Sequence, residues 1–243
     1  MNKTIIAIIE ARMTSSRLPG KHLMKADGKP MLMHLVNRLS KIKLLDNIVI
    51  ATTINSQDDE LESLAESLKV GCFRGSEDDV MGRVVGAGEK FNADIVCEVT
   101  GDCPIIDYEL VEHAITTFLS SEVDYLQYGC KGGLPDGMGS QVFYLDALRK
   151  SEKMTKHKYD REHVTPHIIN NPDIFSSLYL EAPASLKYPH IAVTLDEFED
   201  YVLIKKIIEY FSDLDKNFGC LDVIKLLNKN SAWLEINKNI LRN

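Results

Sequence analysis

No run of apolar residues among these 243 approaches the roughly 20 that a membrane-spanning helix needs, so a helical membrane protein is not expected. The opening MNKTIIAIIE has too short an apolar stretch and too early an acid for a secretory leader, and a cytoplasmic location is expected. Positive charge is also scarce. Lys and Arg total 28 against 36 Asp and Glu, a formal charge of −8, which argues against a nucleic-acid surface because a phosphodiester backbone demands a concentrated positive field. The five cysteines, Cys72, Cys97, Cys103, Cys130 and Cys220, include no CxxC pair. Neither a disulfide framework nor a zinc knuckle is indicated, and most of the thiols read as small buried hydrophobes. No internal repeat or low-complexity tract interrupts the chain.

What the chain does have is a core and one dense cationic loop. Hydrophobic residues make up 44% of it, enough for a single large α/β domain over residues 1–243. Directly after the apolar run Ile5 to Ile9 comes Glu10 to Leu23, EARMTSSRLPGKHL. Arg12 and Arg17 offer planar donor forks, Lys21 a point charge, and Thr14-Ser15-Ser16 small residues that let backbone N–H groups approach an anion. That combination suits a polyphosphate, and a solvated basic loop is the bland alternative.

Apolar segments change period along the chain as a parallel sheet with crossover helices requires. Strands are predicted at Ile5–Ile9, Ile48–Ala51, Val70–Phe73 and Ala93–Val99. Helices are predicted over Pro30–Ile42, after an acidic first turn at Asp58-Asp59-Glu60, and from a Ser76 cap through a first turn of Glu77-Asp78-Asp79. The fourth strand delivers Thr100-Gly101-Asp102-Cys103-Pro104 to the carboxyl edge of the sheet, where ligands gather in such folds. Beyond it come a helix over Tyr108–Leu119, a strand over Asp124–Tyr128, and a glycine-rich loop from Gly129 to Gly139 that returns at Gln141–Tyr144 and reads as a binding loop. Asp160–Asn170 reads as helical up to an interruption at Pro166. Strands are expected at Ile174–Glu181 and Ile191–Leu195, a helix at Glu197–Phe211 and an amphipathic tail at Cys220–Leu241.

These motifs resemble the cytidylyltransferases that make CMP-activated sugars, and within that family the spore-coat-polysaccharide SpsF-like branch. The blocks that carry the resemblance are ARMTSSRLPGK at Ala11 to Lys21, ATT at Ala51 to Thr53, FRGSEDDVMGR at Phe73 to Arg83, TGDCPIID at Thr100 to Asp107, LPDGM at Leu134 to Met138, REHVTP at Arg161 to Pro166 and TLDEFEDY at Thr194 to Tyr201. The resemblance implies a Rossmann-like, glycosyltransferase-A-type nucleotidyltransferase fold with a mostly parallel sheet flanked by helices. It also implies a small substrate and dimerisation arm around residues 125–190, a homodimer, CTP and Mg²⁺ as substrate and cofactor, and transfer of CMP to a sugar, sugar acid or related small polar acceptor for surface glycan biosynthesis. Alternatives are another NTP, a phosphorylated acceptor, or a nucleotide-binding homologue without turnover.

Such chemistry needs positioned cations and a metal more than a covalent catalyst. Arg12, Lys21 and Asp102 are the expected catalytic residues, with Asp102 and Asp196 as metal ligands through hard carboxylate oxygens and Asp200 behind them. Each aspartate has a second reading as a helix cap, Asp102 near Pro104 or Tyr108 and Asp196 before Glu197. Substrate contacts are expected from Ala11, Arg17, Ser76, Arg83, Gly101, Asp136, Gln141, Arg161 and His163, the last reading as a substrate or loop contact ahead of a general base. His22 and His34 receive no role. The chain departs from the SpsF-like pattern at Glu10, where Gln is frequent, and at Gly139 and Gln141, where acids are frequent. A carboxylated acceptor would call for a further cation, with Lys131, Lys156, Lys158 and Arg161 as candidates.

Overall fold

A computed structural model describes residues 3–242. Its centre is a seven-stranded sheet built on β1 (Ile5–Glu10), whose alternate side chains are buried on both faces. In chain order there follow a small hairpin of β2 (Lys25–Ala26) and β3 (Lys29–Pro30), α1 (Met31–Leu39), β4 (Asn47–Thr53), α2 (Asp59–Leu68), β5 (Gly71–Gly75), α3 (Val80–Lys90), β6 (Ile95–Thr100) and α4 (Tyr108–Leu119). Then come β7 (Tyr125–Tyr128), β8 (Ser140–Tyr144), α5 (Leu145–Met154), α6 (Lys158–His163), α7 (Pro166–Ile169), β9 (Ser177–Leu180), α8 (Phe198–Asp213), α9 (Cys220–Lys229) and α10 (Ser231–Leu234). The spatial order is β5-β4-β1-β6-β8-β7-β9, with β8 antiparallel to both neighbours and every other pair parallel. The segment 125–190 thus contributes three strands to the main sheet.

Fully buried parallel strands are continuously apolar because helices cover both faces. One face carries Ala7, Ile9 and Ile50 under Leu35 of α1, Ile115 of α4, Ile207 of α8 and Ile224 of α9. The other carries Ile6, Ile8 and Val96 under Val84 of α3 and Leu148 of α5. From β1 the chain crosses to β4 on one side and later to β6 on the other, so their carboxyl ends form the switch point at which open α/β sheets bind ligands. Among the described residues no helix is long and apolar enough to cross a membrane, and all five cysteines are free thiols, with Cys130 exposed.

Several expected elements shift. Asp79 caps α3 by accepting from Gly82 N at 2.9 Å, so the helix starts at Val80 and the Glu77-Asp78-Asp79 triplet lies before it. Ile191–Leu195 forms no strand beyond the single bridge Asp136↔Ala192. It is a strap over the carboxyl edge, with Val193 N donating to Asp136 O and Leu195 N to Asp102 O, both at 2.8 Å. Its partners are two loops, too short to build a ladder. Helix α5 had no counterpart in the sequence reading. Between α6 and α7 the chain turns at Val164, φ 66° and ψ −61°, with Thr165 N donating to His163 O at 2.8 Å. This is the rare γ-turn geometry that strains a β-branched residue.

Candidate active site

The loop after β1 is held from beneath, which separates it from a solvated basic loop. Asp58, fully buried, accepts from Met13 N at 2.7 Å and from Thr53 N at 3.0 Å, fastening the loop to the end of β4. Burial acts to raise the Asp58 pKa, but the Thr53 hydroxyl and these amides hold it below the ordinary carboxylate value. Glu77 accepts from the Thr14 hydroxyl and from Asn55 Nδ2 at 2.6 Å and lies 3.6 Å from Arg12. Gly20, at φ 71°, closes the turn with its N–H on Met13 O at 3.0 Å and sends Lys21 inward.

Lys21 then meets the far side of the sheet. Its Nζ lies 3.0 Å from Asp196 Oδ1 and 3.5 Å from Asp102 Oδ2, with the lysine side chain 9% exposed. Arg17 reaches Asp196 at 3.0 Å. Neither aspartate is a helix cap. Asp107 caps α4 by accepting from Glu109 N at 3.0 Å, and Glu197 with Asp200 forms the capping box of α8. Asp200 is fully buried, accepts from Asp196 N at 3.1 Å, and is anchored by Asn237 and Arg242, so it orients Asp196 from behind. Burial alone would raise the Asp102 pKa. The Lys21 ammonium, with the Thr100 hydroxyl, overrides that and keeps it ionised below its usual range.

Gly101 fits where it does because a Cβ there would stand 2.6 Å from Glu10 O and 2.9 Å from His22 Cε1. His22 is buried, and its Nδ1 lies 3.2 Å from Gly101 O, a contact that makes Nδ1 the protonated nitrogen. Burial, then the adjacent Lys21, depress its pKa to about 4, so it is a neutral brace under the Gly101-Asp102 turn. Gly101→Ala is expected to cost about 1–3 kcal/mol of stability by overpacking and to displace Asp102. Denaturant unfolding alongside pyrophosphate release should show both losses together.

Glu10 and Glu98 lie on neighbouring strands beneath this edge, with Glu98 buried and neither Glu10 Oε1 nor Glu98 Oε2 hydrogen-bonded within the chain. Desolvation raises Glu10 to about 7 and, with the adjacent Glu10 carboxyl, puts Glu98 well above the normal range. The folded chain therefore retains protons that the unfolded chain releases above its ordinary carboxylate pKa, and the pair's contribution to stability falls as pH rises from there. Glu98→Gln is expected to raise the melting temperature at pH 8 and to change it little near pH 5, which thermal melts at the two pH values would check.

Two cavities meet at the aspartate pair. The first, of ≈ 460 Å³, holds Arg12, Arg17, Lys21, Arg83, Ala11, Gly101 and His163. The second, of ≈ 330 Å³, lies toward the glycine-rich loop and holds Asp136, Gln127 and Ser140. Asp102, Asp196, Glu98, Thr100 and Gln141 line both. Among the described residues no group of three or more His, Cys, Asp or Glu is set to hold a metal. Two carboxylates suffice for Mg²⁺, which takes one or two together with water and phosphate oxygens, and Asp102 with Asp196 is the fitting pair.

The structure thus brings Ala11, Arg12, Arg17, Lys21, Arg83, Gly101, Asp102, Gln141, His163 and Asp196 around one cavity, with Asp136 across the second. It leaves two expected contacts elsewhere. Arg161 is bound to Asp79 and Glu152, stapling α6 to the start of α3 and to α5, and Ser76 accepts from Asp79 N at 3.2 Å while its carbonyl receives Arg83. Arg83, buried and with a lowered pKa for that reason, leaves its Nε unpartnered beside the first cavity. His22, Asp58 and the Glu10–Glu98 pair carry local signals only as a lone His and lone acids, so sequence reasoning passed over their roles.

A model of the cytidylyltransferase family matches residues 6–240. The chain belongs to that family. Among relatives of this cytidylyltransferase, the spore coat polysaccharide biosynthesis protein SpsF of Bacillus subtilis is 34% identical over 93% of this chain and 95% of its own length. An uncharacterized protein of Methanocaldococcus jannaschii is 39% identical over 97% of this chain and 95% of its own. Of solved structures, a cytidylyltransferase from Leptospira borgpetersenii superposes with a TM-score of 0.90 at 29% identity, covering 100% of both chains. A CMP:2-keto-3-deoxy-manno-octonic acid synthetase complexed with CTP gives a TM-score of 0.65 over 85% of this chain and 99% of its own, at 17% identity, which speaks to the fold. The mostly parallel α/β nucleotidyltransferase architecture agrees with the expectation.

Proposed function

We propose that this cytidylyltransferase transfers CMP from CTP to a sugar, sugar acid or related small polar acceptor, with Mg²⁺, in the synthesis of a surface glycan. The observation that carries the reading is the meeting of a cation-lined cavity and a second polar cavity at Asp102 and Asp196. Arg12, Arg17 and Lys21 bind the triphosphate oxygens and neutralise charge that grows on the α-phosphate and the leaving pyrophosphate. An acceptor hydroxyl oxygen in the second cavity bonds to the α-phosphorus as the bond to the bridging oxygen breaks. Its proton passes to Asp136, whose pKa burial raises toward that task, before reaching solvent. Asp102 and Asp196 would hold the Mg²⁺, which supplies Lewis-acid charge for the phosphates. Arg83, beside Ala11, contacts the base. Gln141, which lines both cavities, contacts the acceptor, and His163, on the wall of the first, contacts the nucleotide.

The same reading includes a homodimer working in the cytoplasm, and its support is the family resemblance. Incubation with each NTP, Mg²⁺ and pyrophosphatase across an acceptor panel tests the transfer. Phosphate release that depends on CTP is expected. Dependence on UTP or GTP overturns the cytidylyl assignment, and tight Mg-CTP binding with no release for any acceptor favours a homologue without turnover.

A further inference from the structure

A cavity of ≈ 240 Å³ between α1, the β2–β3 hairpin and the link from α8 to α9 shares no lining residue with the two at the aspartate pair. Lys29, His34, Arg38, Lys41 and Lys216 line it, against one carboxylate, Asp27. In a chain with a formal charge of −8, that is a local reversal of sign. The acid is already engaged, since Asp27 lies 3.6 Å from Lys29, and Lys216 is held by Asp222, outside the cavity, at 2.7 Å.

Arg38 and Lys41 have only neutral acceptors. Both terminal nitrogens of Arg38 donate to Phe218 O, at 2.9 and 3.1 Å, and Lys41 Nζ donates to Asn217 Oδ1 at 2.7 Å. Arg38 is 7% exposed, and burial pulls its pKa down to about 10. Asp107, whose charge opposes that fall, spends its oxygens on Glu109 N and Cys220 N. A buried guanidinium answered by one carbonyl is incompletely compensated. Lys41 beside it adds a second positive charge, and burial, then Arg38, lower its pKa as well. Pro104, Ile105 and Ile208 supply apolar wall, and the volume falls below the ~300 Å³ at which pockets for drug-sized ligands begin.

We infer that this cavity binds a small dianionic oxyanion, inorganic phosphate or the phosphate end of a monoester, between Arg38, Lys41 and Lys216. Phe218 O takes two of the guanidinium donors and leaves others for a ligand, and the two ammonium groups close on it as point charges. Seated there, the anion ties α1 to the α8–α9 link. The site stands apart from the transferase reading and does not depend on it.

The reporter is His34, on the same wall. Its Nε2 lies 2.8 Å from Ala26 O, and burial, with the Lys29 and Arg38 charges, holds its pKa below the ordinary value despite Asp27. An anion in the cavity raises that pKa and, by reciprocity, binds more tightly once His34 is protonated. Histidine-labelled NMR of the full chain, with His34→Gln to assign the signal, would follow the titration in sulfate, inorganic phosphate or glycerol 1-phosphate, each against sodium chloride at equal ionic strength. A saturable upward shift of about 0.5 pH unit or more is expected with the dianions. Lys41→Gln, which keeps an N–H for Asn217 Oδ1, and separately Lys216→Gln should each raise the midpoint concentration by about fivefold. Arg17→Ala, in the nucleotide loop, should leave it unchanged. No shift beyond that of chloride overturns the inference, as does an unaltered midpoint in both lysine variants or a response lost in Arg17→Ala alone. The lower midpoint of inorganic phosphate or glycerol 1-phosphate assigns the source of the anion.

Discussion

Replacing Asp102 by Asn is expected to lower CMP transfer by about 10³-fold, the scale of losing one charged contact that acts mainly in the transition state, with little change in thermal stability. The substitution keeps volume and shape at the end of β6. It spares the backbone carbonyl that receives Leu195 N and the cap of α4, which belongs to Asp107. What it removes is an anionic oxygen that Lys21, with Thr100, keeps ionised through the neutral range. Pyrophosphate release measured across a Mg²⁺ titration is the check. A raised Mg²⁺ requirement with a lowered plateau is expected, and wild-type activity at ordinary Mg²⁺ refutes the role.

Lys21→Ala should have the second-largest effect, a fall in kcat/KM of about 10²–10³-fold. The ammonium has two duties at once, meeting the triphosphate and keeping two carboxylates side by side. Its removal separates them experimentally. Without the competing cation, the free aspartate pair should take Mg²⁺ more tightly while turnover drops, a combination that loss of a surface lysine cannot generate. Calorimetric Mg²⁺ titration of the variant beside its steady-state kinetics would show whether the two move in opposite directions.

Much of this site is legible in the amino-acid sequence, and the reasons are local. The strands β1, β4 and β6 announce themselves because burial on both faces leaves continuous apolar runs, and helix α4 matches its expected span residue for residue. The cation loop is visible because arginine, lysine and glycine cluster within it. Helix α5 escaped notice because it starts at Leu145 straight from β8, with Tyr144 in the cap position and no side-chain cap or turn residue to mark the change. The strap at Ile191–Leu195 has strand composition and lacks only a neighbour of strand length. His22, Asp58 and the Glu10–Glu98 pair depend on contacts made across tens of residues, which no window of sequence displays.

The tight bend at Val164 bears on how the rim beside the cavities keeps its shape. A branched side chain at positive φ is in tension, of order 1–3 kcal/mol, and neighbours must hold it there. Val164 is 2% exposed, and the next residue, Thr165, donates its hydroxyl to Gln141 Oε1 at 2.6 Å, the oxygen that Tyr125 also engages. The hydroxyl of one threonine therefore serves as a latch. It ties the bend that carries His163, on the wall of the first cavity, to the strand that lines both.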